Sequence, residues 1–371
     1  MDKIKVCHVS MYYDPIVGGQ ESYIKTFISS TSNIIENSVI QSTQEGVNNL
    51  KNVKYTRYFW YTYKLKKIIF NFDWYIFNIQ LLLNKKWLSQ FDVLICHYFF
   101  HYPFVMWHPK VIVLSHGVLW DNSKLTLFDR FHKITLKFFK KKKHVLVAND
   151  TEFLREIGLK INAGTSFFEE IQKKNWFFPN TINPSVFKND KSIVKEKIIL
   201  LPRNIRYDRG IHIAIESFSI FEKNNKDFVL IVAGSFGAKF YFDYCKELVE
   251  KLNLQTKVNF IGSVTQNELI ELYNKSTMTI IPSIAKEGTS LSALESMMCG
   301  TPVVSTNIGG LKDIPCLHCN PDVNSLTIGM TELLENIEQE TINQFENVHN
   351  YFTTEKWTNM WVYLINKLKH E

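Results

Sequence analysis

Two glutamates stand eight positions apart in the run Pro282-Ser-Ile-Ala-Lys-Glu287-Gly-Thr-Ser-Leu-Ser-Ala-Leu-Glu295. On a single helix they would be roughly 12 Å apart, at about 1.5 Å per residue. That distance is similar to the reach from a sugar across a diphosphate to a ribose. One carboxylate could therefore hold sugar hydroxyls and the other ribose hydroxyls. Taken alone, such a pair is more often a helix cap and a surface charge.

The residues between the two glutamates are expected to open a helix. The apolar run 278–281 predicts a strand, and the loop after it carries Glu287 to the carboxyl end of that strand, where ligands bind in open α/β sheets. The start of a helix carries partial positive charge, which favours anions. Four amides are expected to face phosphate groups there: Gly288, Thr289, Ser290 and Leu291.

A pair of arginines follows an earlier strand-like run, in Leu201-Pro-Arg203-Asn-Ile-Arg206-Tyr-Asp-Arg209-Gly210. A guanidinium group can bind phosphate with two parallel hydrogen bonds, and it compensates the charge that builds on a departing phosphate. Arg203 and Arg209 are therefore candidates for an anion site. On the residue pattern alone, they could equally be surface arginines.

The first half of the chain offers a glycine pair and two histidines. Gly18 and Gly19 follow the first strand-like run, and paired glycines let backbone amides come close to phosphate. His116 ends the run 111–114, and His97 ends the run 93–96. An isolated histidine after a strand is usually structural, so the spacing does not decide its role.

The elements that must position these residues alternate between short apolar runs and amphipathic ones, which indicates βαβ units and parallel sheets covered by helices. Two Rossmann-like domains are expected, one over residues 1–188 and the other over residues 189–352. The boundary is placed where turn-forming residues cluster. A last amphipathic helix, within 353–371, is expected to pack back on the first domain.

The segment from Glu287 to Glu295, with Gly300-Thr-Pro-Val-Val after it and then Gly309-Gly310, resembles the signature of glycosyltransferase family 4. The resemblance extends over nearly the full chain. It implies a GT-B fold, an α/β architecture in which two Rossmann-like domains face each other across a cleft. It also implies a nucleotide diphosphate sugar as donor and net retention at the anomeric carbon without a bound divalent metal.

The resemblance gives each matched residue a role. Arg203 and Arg209 occupy the place of the two cations that grip the donor diphosphate, although Pro202 and Arg209 replace the family's usual Gly and Lys. Glu287 and His116 would orient the donor sugar, and Glu295 the ribose. His97 is a weaker candidate, facing either the acceptor or the core. The turns that would line the nucleotide pocket contain Gly234, Ser263 and Val264.

The net charge of +7 is concentrated in the first half, where residues 1–190 hold 25 Lys and Arg against 15 Asp and Glu. Such a half can attract nucleic acid, anionic lipid or phosphorylated substrates. Residues 55–90 and 133–143 interleave aromatic residues with lysines, which suits an anionic membrane surface. The alternative is that the aromatics are core and the lysines a solvated face. No recognised nucleic-acid motif is present, so no nucleic-acid partner is expected.

The chain begins directly with a strand-like run, without the pattern of a secretory signal, and the apolar stretch 68–83 is broken by polar residues. A cytoplasmic location is expected, with peripheral attachment to the inner face of the cell membrane as an option. The six cysteines are interpreted as reduced thiols. Cys316-Leu-His-Cys319 lacks further ligands at metal-site spacing, so neither a metal nor a cofactor is expected.

The sequence thus predicts a retaining glycosyltransferase that moves a hexose-type sugar to a glycan or lipid-linked acceptor, in cell-surface polysaccharide or glycoconjugate synthesis. The alternative is a catalytically silent GT-B subunit that binds a nucleotide sugar or a partner enzyme. A sugar-nucleotide epimerase shares the fold, but the glutamate pair and the two arginines favour transfer.

Overall fold

A computed structural model of the chain describes residues 3–16, 19–42, 47–56, 72–117, 130, 133–136, 139, 144–161 and 168–371. The chain forms two compact units. The first comprises residues up to 149 together with 153–178 and 355–371, and the second comprises 150–152 and 179–354. Residues 179–188, which the sequence places in the first domain, fall in the second unit. Within this unit the Ile182 N–H donates to the Phe352 carbonyl (2.8 Å).

The described part of the first unit contains an eight-stranded sheet in the order β3-β2-β1-β4-β5-β6-β8-β7. All neighbouring strands are parallel except β7 and β8, which are antiparallel. The strands are β1 (Ile4–Val9), β2 (Ile35–Ser42), β3 (Val53–Thr56), β4 (Val93–Cys96), β5 (Val111–Ser115), β6 (Val145–Ala148), β7 (Glu169–Gln172) and β8 (Asn175–Phe177).

Helices cover the first sheet. They are α1 (Gly19–Thr31), α2 (Phe72–Leu83), α3 (Lys85–Leu88), α4 (Tyr102–Val105), α5 (Thr151–Glu156) and, at the end of the chain, α12 (Thr354–His370). Helix α12 buries Trp357 and Trp361 in one core with Tyr23 and Phe27 of α1. The first two residues of α5 belong to the second unit, as does Thr354.

The second unit is a six-stranded sheet, parallel throughout, in the order β11-β10-β9-β12-β13-β14. Its strands are β9 (Glu196–Leu201), β10 (Val229–Ala233), β11 (Val258–Gly262), β12 (Ser276–Ile281), β13 (Val303–Thr306) and β14 (Leu317–Cys319). Its helices are α6 (Ile211–Phe221), α7 (Lys239–Lys251), α8 (Gln266–Lys275), α9 (Leu291–Met298), α10 (Val323–Glu335) and α11 (Ile337–Tyr351).

The apolar runs of the sequence become the central strands, since a strand covered on both faces must be apolar at almost every position. Strands β4, β5 and β6 are buried throughout, and β9 is buried from Ile198 onwards. Among the described residues, no helix is both long enough and apolar enough to cross a membrane.

Candidate active site

The centre of the second sheet is the point at which its strand order reverses. From β9 the chain proceeds outward to β10 and β11, and it returns to the other side of β9 with β12. Such a switch point leaves an opening at the carboxyl ends of the two central strands, where ligands bind in open α/β sheets. Arg203 follows β9 and Glu287 follows β12, so they stand on either side of this point.

Glu287 joins the two arginines that the sequence singled out. Arg203 Nη2 donates to Glu287 Oε1 at 2.6 Å, and Arg209 Nη1 donates to Glu287 Oε2 at 2.5 Å. The side chains are 10% (Arg203), 24% (Arg209) and 14% (Glu287) exposed. Arg209 Nε also lies 3.6 Å from Asp208, which is paired with Arg206, so three guanidinium groups face two carboxylates here. The net charge stays positive in a partly desolvated place, which favours an anion.

Arg203 also carries a donor with no acceptor. Its Nε is buried and has no hydrogen-bond partner within the described part of the chain. Burial lowers the pKa of the Arg203 guanidinium, and the charge of Glu287 opposes that shift. Arginine nevertheless stays protonated in proteins. A buried, charged N–H without an acceptor is costly, so this atom favours a ligand oxygen beside it.

Gly210 shapes the loop that holds Arg209. A 3-10 turn, Tyr207–Arg209, is followed by Gly210 with φ +67°. A Cβ at Gly210 would lie 1.9 Å from the Pro282 carbonyl oxygen, so only glycine allows this contact with the end of β12. Arg206 points elsewhere, since it forms a two-bond ion pair with Asp208 (2.9 and 2.8 Å) on the surface.

Three hydrogen bonds hold the loop that carries Glu287. The backbone N–H of Gly310 donates to the Glu287 carbonyl at 2.6 Å. Asn180 donates twice to Thr289, from its backbone N–H to Oγ1 (2.8 Å) and from its side-chain amide to the carbonyl (2.6 Å). Thr289, predicted to bind the donor, thus has its side chain engaged by the segment around residue 180.

Helix α9 carries Glu295 but not Glu287, and it begins between the two glutamates, as the sequence predicts. Ser290 is its N-cap and accepts from the Ala293 N–H at 3.4 Å, so Leu291 is the first helical residue. Glu287 therefore lies in the preceding loop, and the distance of roughly 12 Å along one helix does not apply. The amides of Gly288 and Thr289 precede the helix instead of forming its first turn.

Glu295 is separate from the arginine cluster in its hydrogen bonding. Its Oε2 accepts from the hydroxyl of the fully buried Tyr273 at 3.0 Å. Burial raises the pKa of Glu295 to about 7, against the lowering effects of the Tyr273 hydrogen bond and of the charge on Arg203. Tyr273 was not predicted from the sequence, because a tyrosine near the end of an amphipathic helix carries no distinguishing signal.

The remaining predicted positions of the second unit lie along the same edge of the sheet. Gly234 follows β10, and a Cβ there would lie 2.2 Å from the Arg203 carbonyl oxygen, so the two loops are in contact. Ser263 and Val264 follow β11. At about 4.8 Å between neighbouring strands, β11 is about 10 Å from β9.

In the first unit the structure brings His97 and His116 together. His97 Nδ1 and His116 Nε2 are 3.0 Å apart, and the two rings are stacked. His97 Nε2 is in turn 3.0 Å from Nδ1 of His8, a residue that the sequence did not single out. Gly19 is the first residue of α1, and Gly18 lies outside the described residues.

The Cys316–Cys319 segment is held by local hydrogen bonds. His318 Nε2 donates to the Ile314 carbonyl at 3.0 Å, and Cys316 Sγ lies 3.2 Å from the Ser305 hydroxyl. Within the described ranges, no group of three or more His, Cys, Asp or Glu side chains is arranged to hold a metal ion. All six cysteines are free thiols.

Parts of the chain are similar in sequence to proteins that are named as glycosyltransferases. An uncharacterized glycosyltransferase of Methanocaldococcus jannaschii is 37% identical over 120 residues, which are 32% of this chain and 29% of that protein. The O-antigen chain mannosyltransferase of Salmonella typhimurium is 29% identical over 173 residues, 45% of this chain and 46% of its own length. The matches therefore span less than half of either relative.

Among solved structures, Anabaena HepE in complex with UDP-glucose matches with a TM-score of 0.74 at 13% identity, over 98% of this chain and 100% of that chain. This likeness shows the fold, which is the two-sheet GT-B architecture expected from the sequence. Residues 184–339, which contain the whole cluster of Arg203, Arg209 and Glu287, match the family model of glycosyl transferases group 1. This match covers 156 of the 371 residues.

Proposed function

We propose that this chain is a retaining glycosyltransferase that moves a hexose-type sugar from a nucleotide diphosphate sugar to a glycan or lipid-linked acceptor, without a divalent metal. The observation that carries the proposal is the cluster of Arg203, Arg209 and Glu287 at the switch point of a glycosyl transferases group 1 domain. Relatives in the family and a solved neighbour with bound UDP-glucose support the donor class.

The arginine cluster is suited to the diphosphate. Each guanidinium has five N–H donors, and each gives one of them to Glu287. The remaining donors, including the unpartnered Nε–H of Arg203, suit phosphate oxygens. Glu287 keeps two like charges side by side, and its carboxylate oxygens retain lone pairs that can accept from sugar hydroxyls.

The nucleoside would extend along the carboxyl edge of the sheet. Along this edge, the loop of Gly234 contacts the loop of Arg203, and Ser263 and Val264 follow the next strand, β11. Glu295 is proposed to accept from the ribose hydroxyls, because one of its carboxylate oxygens is used by Tyr273 and the other has lone pairs to spare.

Transfer is proposed to occur on one face of the sugar. The bond between the anomeric carbon and the diphosphate oxygen breaks, and the acceptor oxygen bonds to the same face of that carbon. The acceptor proton passes to the departing phosphate oxygen, so no separate protein base is required. Arg203 and Arg209 stabilise the negative charge on the leaving group, a contribution that is largest in the transition state. Glu287 is proposed to orient the sugar. The same role proposed for His116 rests on the family resemblance alone.

Helix α2 supports the proposal of peripheral attachment to a membrane. Four apolar side chains on it are 46–78% exposed: Tyr75, Ile79, Leu82 and Leu83. Lys85 and Lys86, both exposed, are the first residues of the next helix, α3. An exposed apolar stripe beside lysines is typical of helices that lie in a headgroup layer. Such attachment would suit a lipid-linked acceptor. Much of the remaining basic and aromatic sequence, at 57–71 and 140–143, falls outside the described residues.

The experiment is a screen of the purified protein against UDP-, GDP- and ADP-sugars in EDTA, which follows thermal stabilisation and release of free sugar. The expected result is that one donor raises the Tm and is slowly hydrolysed. Glu287→Gln should lose both effects, and Glu271→Gln, which removes an exposed ion pair with Lys275, should lose neither. If a donor raised the Tm of the protein but no donor was hydrolysed, the result would favour the catalytically silent subunit.

A further inference from the structure

A single row of buried polar side chains crosses the first sheet beneath His116. Asn37 lies on β2, His8 on β1, His97 directly after β4 and His116 directly after β5. These four strands are neighbours in the sheet. His8 and His97 are 0% and 1% exposed, whereas His116 is partly exposed.

A repeated sequence pattern places the three histidines of this row on the same face of the sheet. Three strands end in the same alternation of apolar residues and a terminal histidine: Ile4-x-Val6-x-His8, Val93-x-Ile95-x-His97 and Ile112-x-Leu114-x-His116. Alternate residues of a strand point to one face of the sheet. The apolar members of all three patterns lie in one core with Tyr23 and Phe27 of α1. The histidines therefore continue that core to the carboxyl edge of the sheet.

The hydrogen bonds of this row can run in one direction only, because they end on a backbone carbonyl. Thr31 Oγ1 is 2.7 Å from the Phe27 carbonyl oxygen, which can only accept, so the Thr31 hydroxyl donates its one hydrogen there. The Thr31 oxygen must then accept from the Asn37 amide nitrogen at 2.9 Å. This fixes the Asn37 amide with Oδ1 towards His8.

The same logic fixes the tautomer of each histidine. Asn37 Oδ1 accepts from His8 Nε2 (3.3 Å), so His8 carries its proton on Nε2 and offers a lone pair at Nδ1. His97 Nε2 must donate to that lone pair (3.0 Å), and His116 Nε2 must donate to His97 Nδ1 (3.0 Å). A neutral imidazole has one donor and one acceptor nitrogen. His116 is thereby left with an acceptor at Nδ1, for which the described residues provide no donor.

The surroundings keep the row neutral. Burial lowers the pKa of His8 to about 4 and that of His116 to about 3. Burial and the neighbouring imidazoles also hold the pKa of His97 well below its usual value. The rings packed against the row are aromatic: Phe27 lies edge-on to His8 at 4.7 Å, and Tyr23 edge-on to His116 at 5.1 Å.

We propose that Thr31, Asn37, His8 and His97 are positioning residues that hold His116 in its Nε2–H tautomer, with the Nδ1 lone pair presented to a ligand hydroxyl. A hydroxyl can donate to that lone pair, whereas an unprotonated phosphate or carboxylate oxygen is repelled by it. The tautomer follows from the hydrogen-bond chain alone. The identification of the hydroxyl as one of a sugar rests on the proposed function.

Histidine-selective 15N labelling reads the tautomers directly in the intact protein. Long-range N–H correlation spectra at neutral pH should show His8, His97 and His116 with the proton on Nε2, each assigned by the loss of its signals in a His→Gln variant. An Nδ1–H tautomer or an imidazolium at His116 in the wild-type protein would overturn the proposal. This outcome does not depend on any donor, and the tautomers themselves are read in the wild-type protein.

Asn37→Leu tests the direction of the chain from its far end. Without the amide the three histidines can reverse their donation, so His116 should become a mixture of both tautomers, and kcat should fall about tenfold for the loss of one hydrogen bond, with a smaller change in KM. Gln41→Leu is the matched control, since it removes another fully buried amide from β2 that bonds the backbone of Asp14 and Ser42.

Gln41→Leu should leave the His116 spectrum unchanged. If Asn37→Leu also left it unchanged, the chain would not set the tautomer. If the tautomer changed and turnover did not, the lone pair would not contact substrate. A protein that shows the predicted tautomers but hydrolyses no nucleotide sugar would contradict the proposed function and leave the positioning chain intact.

Discussion

The backbone N–H of Gly310 donates to the carbonyl of Glu287 at 2.6 Å. This hydrogen bond links the Gly309-Gly310 turn after β13 to the loop after β12 that carries the central carboxylate. A Cβ at Gly310 would lie 2.6 Å from the carbonyl carbon of Gly288 and 2.7 Å from the Thr289 nitrogen. The glycine pair therefore sets the position of Glu287, although neither glycine contacts its carboxylate.

Gly310→Ala is expected to displace this loop. Forcing a methyl group against backbone atoms typically costs about 1–3 kcal/mol in the free energy of unfolding, and here the displaced segment carries Glu287. We expect donor hydrolysis to fall by at least about tenfold, measured beside urea unfolding. Val304→Ala, a truncation in the buried core of the same unit, is the stability-matched control. Equal activity losses in the two variants would mean that the turn acts through stability alone.

The two arginines should differ in their tolerance of lysine. Arg203 is the more buried, and its Nε–H is unpartnered among the described residues, so Arg203→Lys removes donors that no solvent replaces. We expect kcat to fall by about a hundredfold, as for the loss of one donor to a developing anion. Arg209 is more exposed and stands where the related family usually has lysine.

Arg209→Lys should therefore keep activity within about tenfold of the wild type. Steady-state kinetics of both variants with the donor identified by the screen provide the comparison. The reverse order of sensitivity would contradict the assignment of Arg203 as the main contact to the leaving phosphate.

The raised pKa of Glu295 predicts a pH dependence of donor binding. The pKa is raised from 4.5 to about 7, so this side chain is largely protonated at pH 6 and largely ionised at pH 8. Since the ionised carboxylate is the better acceptor for ribose hydroxyls, donor affinity should increase between these two values. Calorimetric titration at pH 6, 7 and 8 measures it, and Glu295→Gln should remove the dependence.

The raised pKa of Glu295 also makes the free energy of unfolding decrease with rising pH, whereas donor affinity is expected to increase. Between pH 4.5 and 7 the folded protein retains a proton on Glu295 that the unfolded chain releases. This group's contribution to the free energy of unfolding is therefore full below pH 4.5 and is lost as the pH rises to 7. The free energy of unfolding is measured with urea at several pH values between 4.5 and 7. If it changed with pH in Glu295→Gln as it does in the wild type, Glu295 would not be the group responsible.

The exposed stripe on α2 predicts binding to anionic vesicles. Ile79→Ser combined with Leu83→Ser should reduce co-sedimentation with phosphatidylglycerol vesicles, because both side chains are more than half exposed and would insert among the acyl chains. Ile328→Ser, at a similarly exposed apolar residue of α10, is the control. Equal binding by the stripe variant and the wild type would remove α2 from the membrane contact.

The second unit was largely predictable from the sequence. Its central strands β9 and β12 are buried along most of their length, so they appear as continuous apolar runs. Arg203, Arg209 and Glu287 were named together because they match a family motif. Their direct ion pairs were not foreseen, since side-chain contacts across 78 and 84 positions leave no periodic trace.

The first unit was predicted less completely. Strand β2 carries polar residues such as Asn37 and Gln41 that are buried and hydrogen-bonded, so its sequence does not resemble a buried strand. His8 was missed for a similar reason, because its significance lies in neighbours on three other strands. The repeated ending of three strands in an apolar-x-apolar-x-His pattern was the available signal.

The stereochemistry of sugar release shows whether the enzyme retains the anomeric configuration of its donor. The purified protein, in EDTA, is given the donor that stabilises it, and proton NMR records the anomer of the sugar at the earliest times, before it equilibrates in solution. We expect the first product to have the anomeric configuration of the donor, and Glu287→Gln to release no sugar. Release of the opposite anomer, or release only when a divalent metal is supplied, would contradict this expectation.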